Sequence, residues 1–322
     1  GMAPQSSEPA AASSQHGPSL RLCSVAGVPV RVHVLLPVVT LLSVGSALAA
    51  GGGFAGAVLA LLVSGPLLFG TVLAHELGHV AAARRCGLTP EHILLWPMGG
   101  LAIIGAGSVT PKQQIFISGS GPATHLPMLL LWAAALAAFN GGRVTLSASG
   151  LGVDSDFLAV LCVCLLVSNL SMLVFNLLVP CFPLDCSQIL ISGMLLRGHD
   201  NSTTAKVMVA LSVPVILVLA GLGVWSYVTG NVGASMNVFV AAWLALQTFQ
   251  LHQARVRGEL SQHPLFASTP PAAQPRPSTG SSPAMPTTGG TVLGSSSNQA
   301  CIGSALSLAV VTFILWQTAP PR

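Results

Sequence analysis

Residues 71–80 read Thr-Val-Leu-Ala-His-Glu-Leu-Gly-His-Val, a His-Glu-x-x-His pattern inside a long apolar run. On a helix, His75 and His79 lie one turn apart on the same face, where two imidazoles can grip one metal ion. Glu76 sits beside them, placed to take a proton from a metal-bound water. The flanking residues are Val, Leu, Ala and Phe, so the polar cluster lies where lipid would normally be. Ionisable groups are costly at that depth, and those found there usually serve function. Gly78, between the two His, suits close approach by a neighbouring helix.

Two His leave a zinc ion short of a third protein ligand, with water as the fourth. The chain offers only eight Asp and Glu residues. Glu8 and Glu259 lie in polar segments, Asp200 in a polar loop, and Glu91 outside the motif's helix. Asp154 and Asp156 fall on the opposite membrane side in the topology below. Asp185 is left, in the segment Phe175-Asn-Leu-Leu-Val-Pro-Cys-Phe-Pro-Leu-Asp-Cys186. Its prolines end the preceding helix and leave an irregular segment that can aim a carboxylate at a metal; capping a helix end is the alternative use. The expected cofactor is one Zn2+ per chain. Cys186 reads as a small packing residue, with a thiolate ligand as the alternative.

The elements that must hold these groups are apolar. Of 322 residues, 52% are hydrophobic and 6% charged, with mean hydropathy +0.76. Soluble domains carry about a quarter charged residues, so the expectation is an integral, multi-pass protein with the lipid bilayer as its solvent. The net charge of +4 is too small and dispersed for a nucleic-acid partner. Seven scattered Cys indicate no disulfide framework. The first 20 residues hold no Lys or Arg and fit neither a signal nor a transit peptide.

Hydropathy predicts an all-α polytopic membrane protein with about six transmembrane helices: 33–50, 54–83 bent near Gly65-Pro66, 113–139, 157–179, 207–228 and 232–251. Residues 93–104 are too short to span and read as a membrane-embedded β-hairpin, tolerated only where protein or a cavity surrounds it. The expected organisation is a disordered tail over 1–25, a core over 26–258, a Ser/Pro/Gly-rich linker over 259–300 and an apolar segment over 301–322. Residues 302–316 read as a seventh span, an interfacial helix or a tail anchor. With six crossings, one side receives Arg21, Arg31, Arg84, Arg85, Lys112, Arg197, Lys206, Arg255 and Arg257, and the other only Arg143. That bias puts the first set on the cytosol-like side. His79 and His75 then lie about 7–14 Å below that face, at about 1.5 Å per residue.

These features resemble the site-2 protease family of intramembrane zinc metallopeptidases, and most its compact branch that includes the sporulation factor protease. The likeness spans roughly 27–198 and rests on Gly27-Val-Pro-Val-Arg-Val-His33, His75-Glu-Leu-Gly-His79 with Arg84-Arg85, Trp96-Pro-Met-Gly-Gly-Leu-Ala102, Gly121-Pro122 and Pro180-x-x-Pro-Leu-Asp185. It implies zinc held by His75, His79 and Asp185, Glu76 as general base, and cleavage of a peptide bond within a substrate's transmembrane segment. It also implies a role for Asn176 in binding substrate backbone or the oxyanion, with interhelical bonding as the other reading. The chain departs from the family in the spacing of Asn176 to Pro180 and in having Cys186-Ser187 where the family favours Gly.

His125, a buried ionisable residue one helix away, reads either as a packed, hydrogen-bonded His or as a catalytic group in transition-state stabilisation or proton transfer. The strand near 96–104 offers an edge to which an extended substrate can add. Partners expected are a membrane-protein substrate and a regulator acting through the tails, lipid or another protein. Competing functions are a catalytically retired scaffold of the same fold, which the intact ligand set argues against, and a metal transporter, which would need a longer polar path.

Overall fold

The structure, a computed structural model, describes residues 18–49, 51–97, 99–105, 109–140, 145–147, 150–152, 157–228 and 236–267. Strands β1 (Ser19–Val25) and β2 (Val28–His33) form a hairpin. Its turn residues, Ala26 and Gly27, both take positive φ (49° and 76°), the geometry that matches the twist of paired strands. β2 runs parallel to β3 (Pro90–Trp96), which pairs antiparallel with β4 (Gly99–Ile104), giving the order β1-β2-β3-β4.

The expected membrane hairpin is therefore half of a four-stranded sheet. Residues 19–25 are a strand and not a disordered tail, and His33 ends a strand where the first helix was expected to begin. The cause is period-two alternation: Val28 and Val30 point inward and are fully buried, and β-branched residues suit a pleated surface.

Helix α1 (Leu35–Ala49) is followed by α2 (Gly53–Leu62), a π turn over Val63–Leu67, and α3 (Leu68–Arg85). The π turn is the bend expected at Gly65-Pro66. Pro66 has no N–H to give, Gly65 leaves helical geometry, and Thr40 Oγ1 of α1 donates to the Ser64 carbonyl at 3.2 Å. The expected third span is two helices, α4 (Pro111–Ala123) and α5 (His125–Asn140), broken at Thr124 between Pro122 and Pro127. Then come strands β5 (Thr145–Ser147) and β6 (Gly150–Gly152), and helices α6 (Phe157–Leu178), α7 (Asp185–Leu196), α8 (Asn201–Val228) and α9 (Met236–Val256).

Among the described residues, four helical segments are long and apolar enough to cross a membrane: Gly53–Arg85, Pro111–Phe139, Phe157–Leu178 and Asn201–Val228. Two of the six expected spans fall outside that set. α1 has 15 residues where about 20 are needed. α9 carries Gln247, Gln250, His252 and Gln253 in its second half.

Two further differences bear on the site. The segment holding Asp185 is not irregular beyond Leu184: Asp185 is the first residue of α7. The packed chain also continues past 258, where the linker was expected. Leu260, Leu265 and Phe266 are buried against Phe182, Ile191, Leu195, Met208 and Leu251. The tail over 1–17, most of the linker and the apolar segment 302–316 lie outside the described residues.

At the centre, β2, β3 and β4 pack on α1, α3 and α6 through Val28, Val30, Leu36, Leu68, Val72, Ile93, Ala102 and Met172. Helix α3 thus has the sheet on one side and α4 on another.

Candidate metal centre

His75, Glu76 and His79 come from the middle of α3 and have no solvent exposure. Helix α4 can reach this face because both helices carry glycine where they cross. A Cβ at Gly78 would meet the Ser120 carbonyl and Thr124 methyl, and one at Gly121 would overlap the His79 ring and His75 Nε2. Small residues of this kind let membrane helices approach backbone to backbone. Close approach brings the Ile117 carbonyl to 2.8 Å from His79 Nδ1. A carbonyl only accepts, so Nδ1 carries the hydrogen and neutral His79 presents Nε2 as a lone pair.

α7 delivers the third group. Its first turn is tied down by Ser187 Oγ donating to the Leu184 carbonyl at 2.6 Å and by Gln188 Nε2 donating to the Pro183 carbonyl at 3.2 Å. Gln188 Oε1 in turn accepts from Gln114 and Ser118 of α4, at 2.8 and 3.1 Å. The helix start carrying Asp185 is thereby locked to the helix that orients His79.

His75, His79 and Asp185 offer ligand atoms within 4.8 Å of one another, and among the described residues they are the one group able to hold a metal. The two Nε2 atoms are 3.1 Å apart, His75 Nε2 is 3.1 Å from Asp185 Oδ2, and His79 Nε2 is 3.4 Å from Oδ1. A tetrahedral zinc with bonds of about 2.0–2.1 Å spaces its ligands by about 3.3–3.4 Å. Asp185 Oδ1 and Glu76 Oε1 are buried acceptors without a hydrogen-bond partner among the described residues. Converging acceptors with too few protons among them fit a cation, and this donor set fits zinc. Cys186 stands outside the group.

Glu76 faces the sheet. Its Oε2 accepts from the Ala102 N–H of β4 at 3.0 Å, and its side chain lies where a Cβ at Gly100 would be. β4 is the sheet's edge strand, so its outer edge borders the site.

A sequence model of peptidase family M50 matches residues 60–162, which hold the His-Glu-x-x-His helix, α4 and α5. The putative zinc metalloprotease Rip3 of Mycobacterium tuberculosis is 32% identical over 220 residues, or 67% of this chain and 52% of that protein. This chain belongs to peptidase family M50, the site-2 protease family. The zinc metalloprotease MJ0392 of Methanocaldococcus jannaschii is 29% identical over 211 residues, 63% of this chain and 54% of that protein. The M50 chain thus spans about half the length of the curated relatives it matches. Among solved structures, the site-2 protease from M. jannaschii is similar at 22% identity and TM-score 0.48, over 72% of this chain and 94% of that one.

Of the other residues singled out in this M50 chain, His125 touches a ligand and Asn176 bonds within its own helix. His125, at the start of α5, is fully buried, with Nε2 3.0 Å from His75 Nδ1. Asn176 of α6 is buried and donates through Nδ2 to the Met172 carbonyl of its own helix at 3.0 Å. Sequence reasoning passed over Ile117, Ala102, Gln114 and Gln188. The first two act through backbone atoms and leave no side-chain signal. Gln188 and Gln114 leave one, as amides facing apolar helices. So does Asn169, two turns before Asn176 on the same buried stripe of α6.

Proposed function

We propose that this M50 chain is the catalytic core of an intramembrane zinc metalloprotease, hydrolysing peptide bonds within or near transmembrane segments of membrane-protein substrates. The observation that carries the reading is the convergence of His75, His79 and Asp185 in a fully buried cluster among apolar helices, with Glu76 one residue from the first ligand. That its relatives are named zinc metalloproteases supports it.

His75, His79 and Asp185 would hold one zinc, which when bound lowers the pKa of its water and polarises a scissile carbonyl. Glu76 is the carboxylate placed to accept the proton of the attacking water and return it to the leaving amine. The Ala102 N–H restrains Oε2 and leaves Oε1 unengaged, so the base is oriented before substrate arrives. A helical substrate hides its peptide bonds and must be extended for attack. The outer edge of β4 is where such a strand would add, in competition with Glu76 for the Ala102 N–H. Asn176 is the candidate for holding substrate backbone or the oxyanion. Submersion just below the cytosol-like face follows from the arginine distribution and belongs to the same proposal.

The test pairs metal analysis of purified protein with cleavage of a membrane-protein substrate. Zinc near one per chain, with cleavage reduced about 10²–10⁴-fold in Glu76→Gln, is the expected result. Undiminished cleavage by Glu76→Gln would falsify the assignment.

A further inference from the structure

Behind His75, a line of buried polar groups crosses from α3 through α5 to α6. His75 Nδ1 lies 3.0 Å from His125 Nε2, and His125 Nδ1 lies 3.0 Å from Asn169 Oδ1. Asn169 Nδ2 then donates to the Leu165 carbonyl at 2.9 Å. All three side chains are fully buried, so no bulk water offers an alternative partner.

The last link sets the direction of every other one. The Leu165 carbonyl only accepts, so the Asn169 amide turns its NH2 there and presents Oδ1 to His125. Oδ1 also only accepts, so the hydrogen of neutral His125 is on Nδ1. His125 Nε2 is then a lone pair that must accept from His75 Nδ1–H. The consequence lands on the ligand: His75 Nε2 keeps its lone pair, aimed at the space shared with His79 and Asp185.

The opposite tautomer of His75 has a competing attraction. With hydrogen on Nε2, the ring would donate to Asp185 Oδ2, 3.1 Å away, and two ligands would satisfy each other instead of a metal. We infer that Asn169 and His125 are positioning residues that hold His75 in its metal-binding tautomer, with Asn169 as the origin of the polarity. Neither need touch substrate. The inference rests on the metal centre proposed above and adds to it the device that keeps it receptive. Partners of this kind typically account for 10–100-fold in metal affinity.

The test uses the full chain in detergent, with zinc affinity measured by competition against a chromophoric chelator and the ligand geometry followed by the absorption of the cobalt(II)-loaded protein. Asn169→Leu keeps the branching and the number of heavy atoms and removes the acceptor. It should weaken zinc about 10–100-fold and alter the cobalt spectrum, with the melting temperature of the metal-free protein close to wild type. Asn169→Asp, whose protonated carboxyl can donate to Leu165 and accept from His125, should restore both. Asn169→Leu binding zinc as tightly as wild type overturns the inference. Should Asn169→Leu fail to fold, Asn169→Asp decides: zinc binding as weak in it as in His125→Phe also overturns the inference. Wild-type protein that takes up no zinc overturns the metal centre itself, which separates the two failures.

Discussion

The backbone N–H of Ala102 donates to Oε2 of Glu76 at 3.0 Å, joining the edge strand of the sheet to the carboxylate of the His-Glu-x-x-His helix. The residues are 26 apart in sequence, and the bond exists because Gly100 leaves room for the Glu76 side chain against β4. The sheet thereby orients the Glu76 carboxylate as well as bordering the site.

Gly100→Ala tests that relationship. The added methyl occupies the volume of the Glu76 carboxylate, so the base must turn away while the three metal ligands are untouched. Proteolysis should fall at least about tenfold, within the 10²–10⁴ that a general base contributes, with zinc content unchanged. Loss of zinc in step with activity would show that the sheet acts on the ligands instead.

Gly121→Ala should have the reverse signature. Its methyl collides with the His79 ring and His75 Nε2, and zinc affinity should drop at least about tenfold. Gly78→Ala strikes the α4 backbone at Ser120, so its first effect should be a lower melting temperature. Equal zinc affinities in wild type and Gly121→Ala would contradict this placement of α4.

Asp185→Asn removes the only charged ligand and leaves two imidazoles. Zinc affinity should fall at least about 100-fold, beyond the range expected for an orienting partner. Chelation of wild-type protein should abolish proteolysis, and added zinc should restore it. Retention of one zinc per chain by Asp185→Asn in the presence of chelator would require another third ligand.

The C-terminal end of the packed chain carries a pH prediction. The His263 ring sits between Phe182 and Phe266, with centroids 5.9 and 5.6 Å away, and its Nδ1 accepts from the Leu265 N–H at 3.3 Å. Burial pushes its pKa from 6.5 down to about 4. The folded protein therefore keeps this ring neutral to about pH 4, whereas the unfolded chain takes the proton from about pH 6.5 downward. Stability from this site is present in full above about 6.5 and lost as pH falls towards 4. Melting temperatures in detergent should decline through that window, and His263→Phe should flatten the decline. An identical pH slope in His263→Phe would sink the assignment. Because Phe182 is three residues from Asp185, zinc affinity in His263→Phe is worth recording beside it.

The order of amino acids was enough to name the candidate ligands and most of the helices. His75 and His79 share a face on any α-helix, because four residues make one turn. A Glu beside them in an apolar run has few uses other than hydrolysis. Elimination among eight acids reached Asp185, and Gly65-Pro66 marked the bend, since a residue without an N–H must break the helical ladder. Tertiary structure decided what depends on through-space partners. Val28 and Val30 alternate visibly, but only pairing with β3 shows that the hairpin is half of a four-stranded sheet. Ile117 and Ala102 act through the peptide group, which every residue carries, so no side chain announces them. The tautomers of His75 and His79 are set from α6 and α4, because a neutral imidazole places its one hydrogen according to the neighbour it meets.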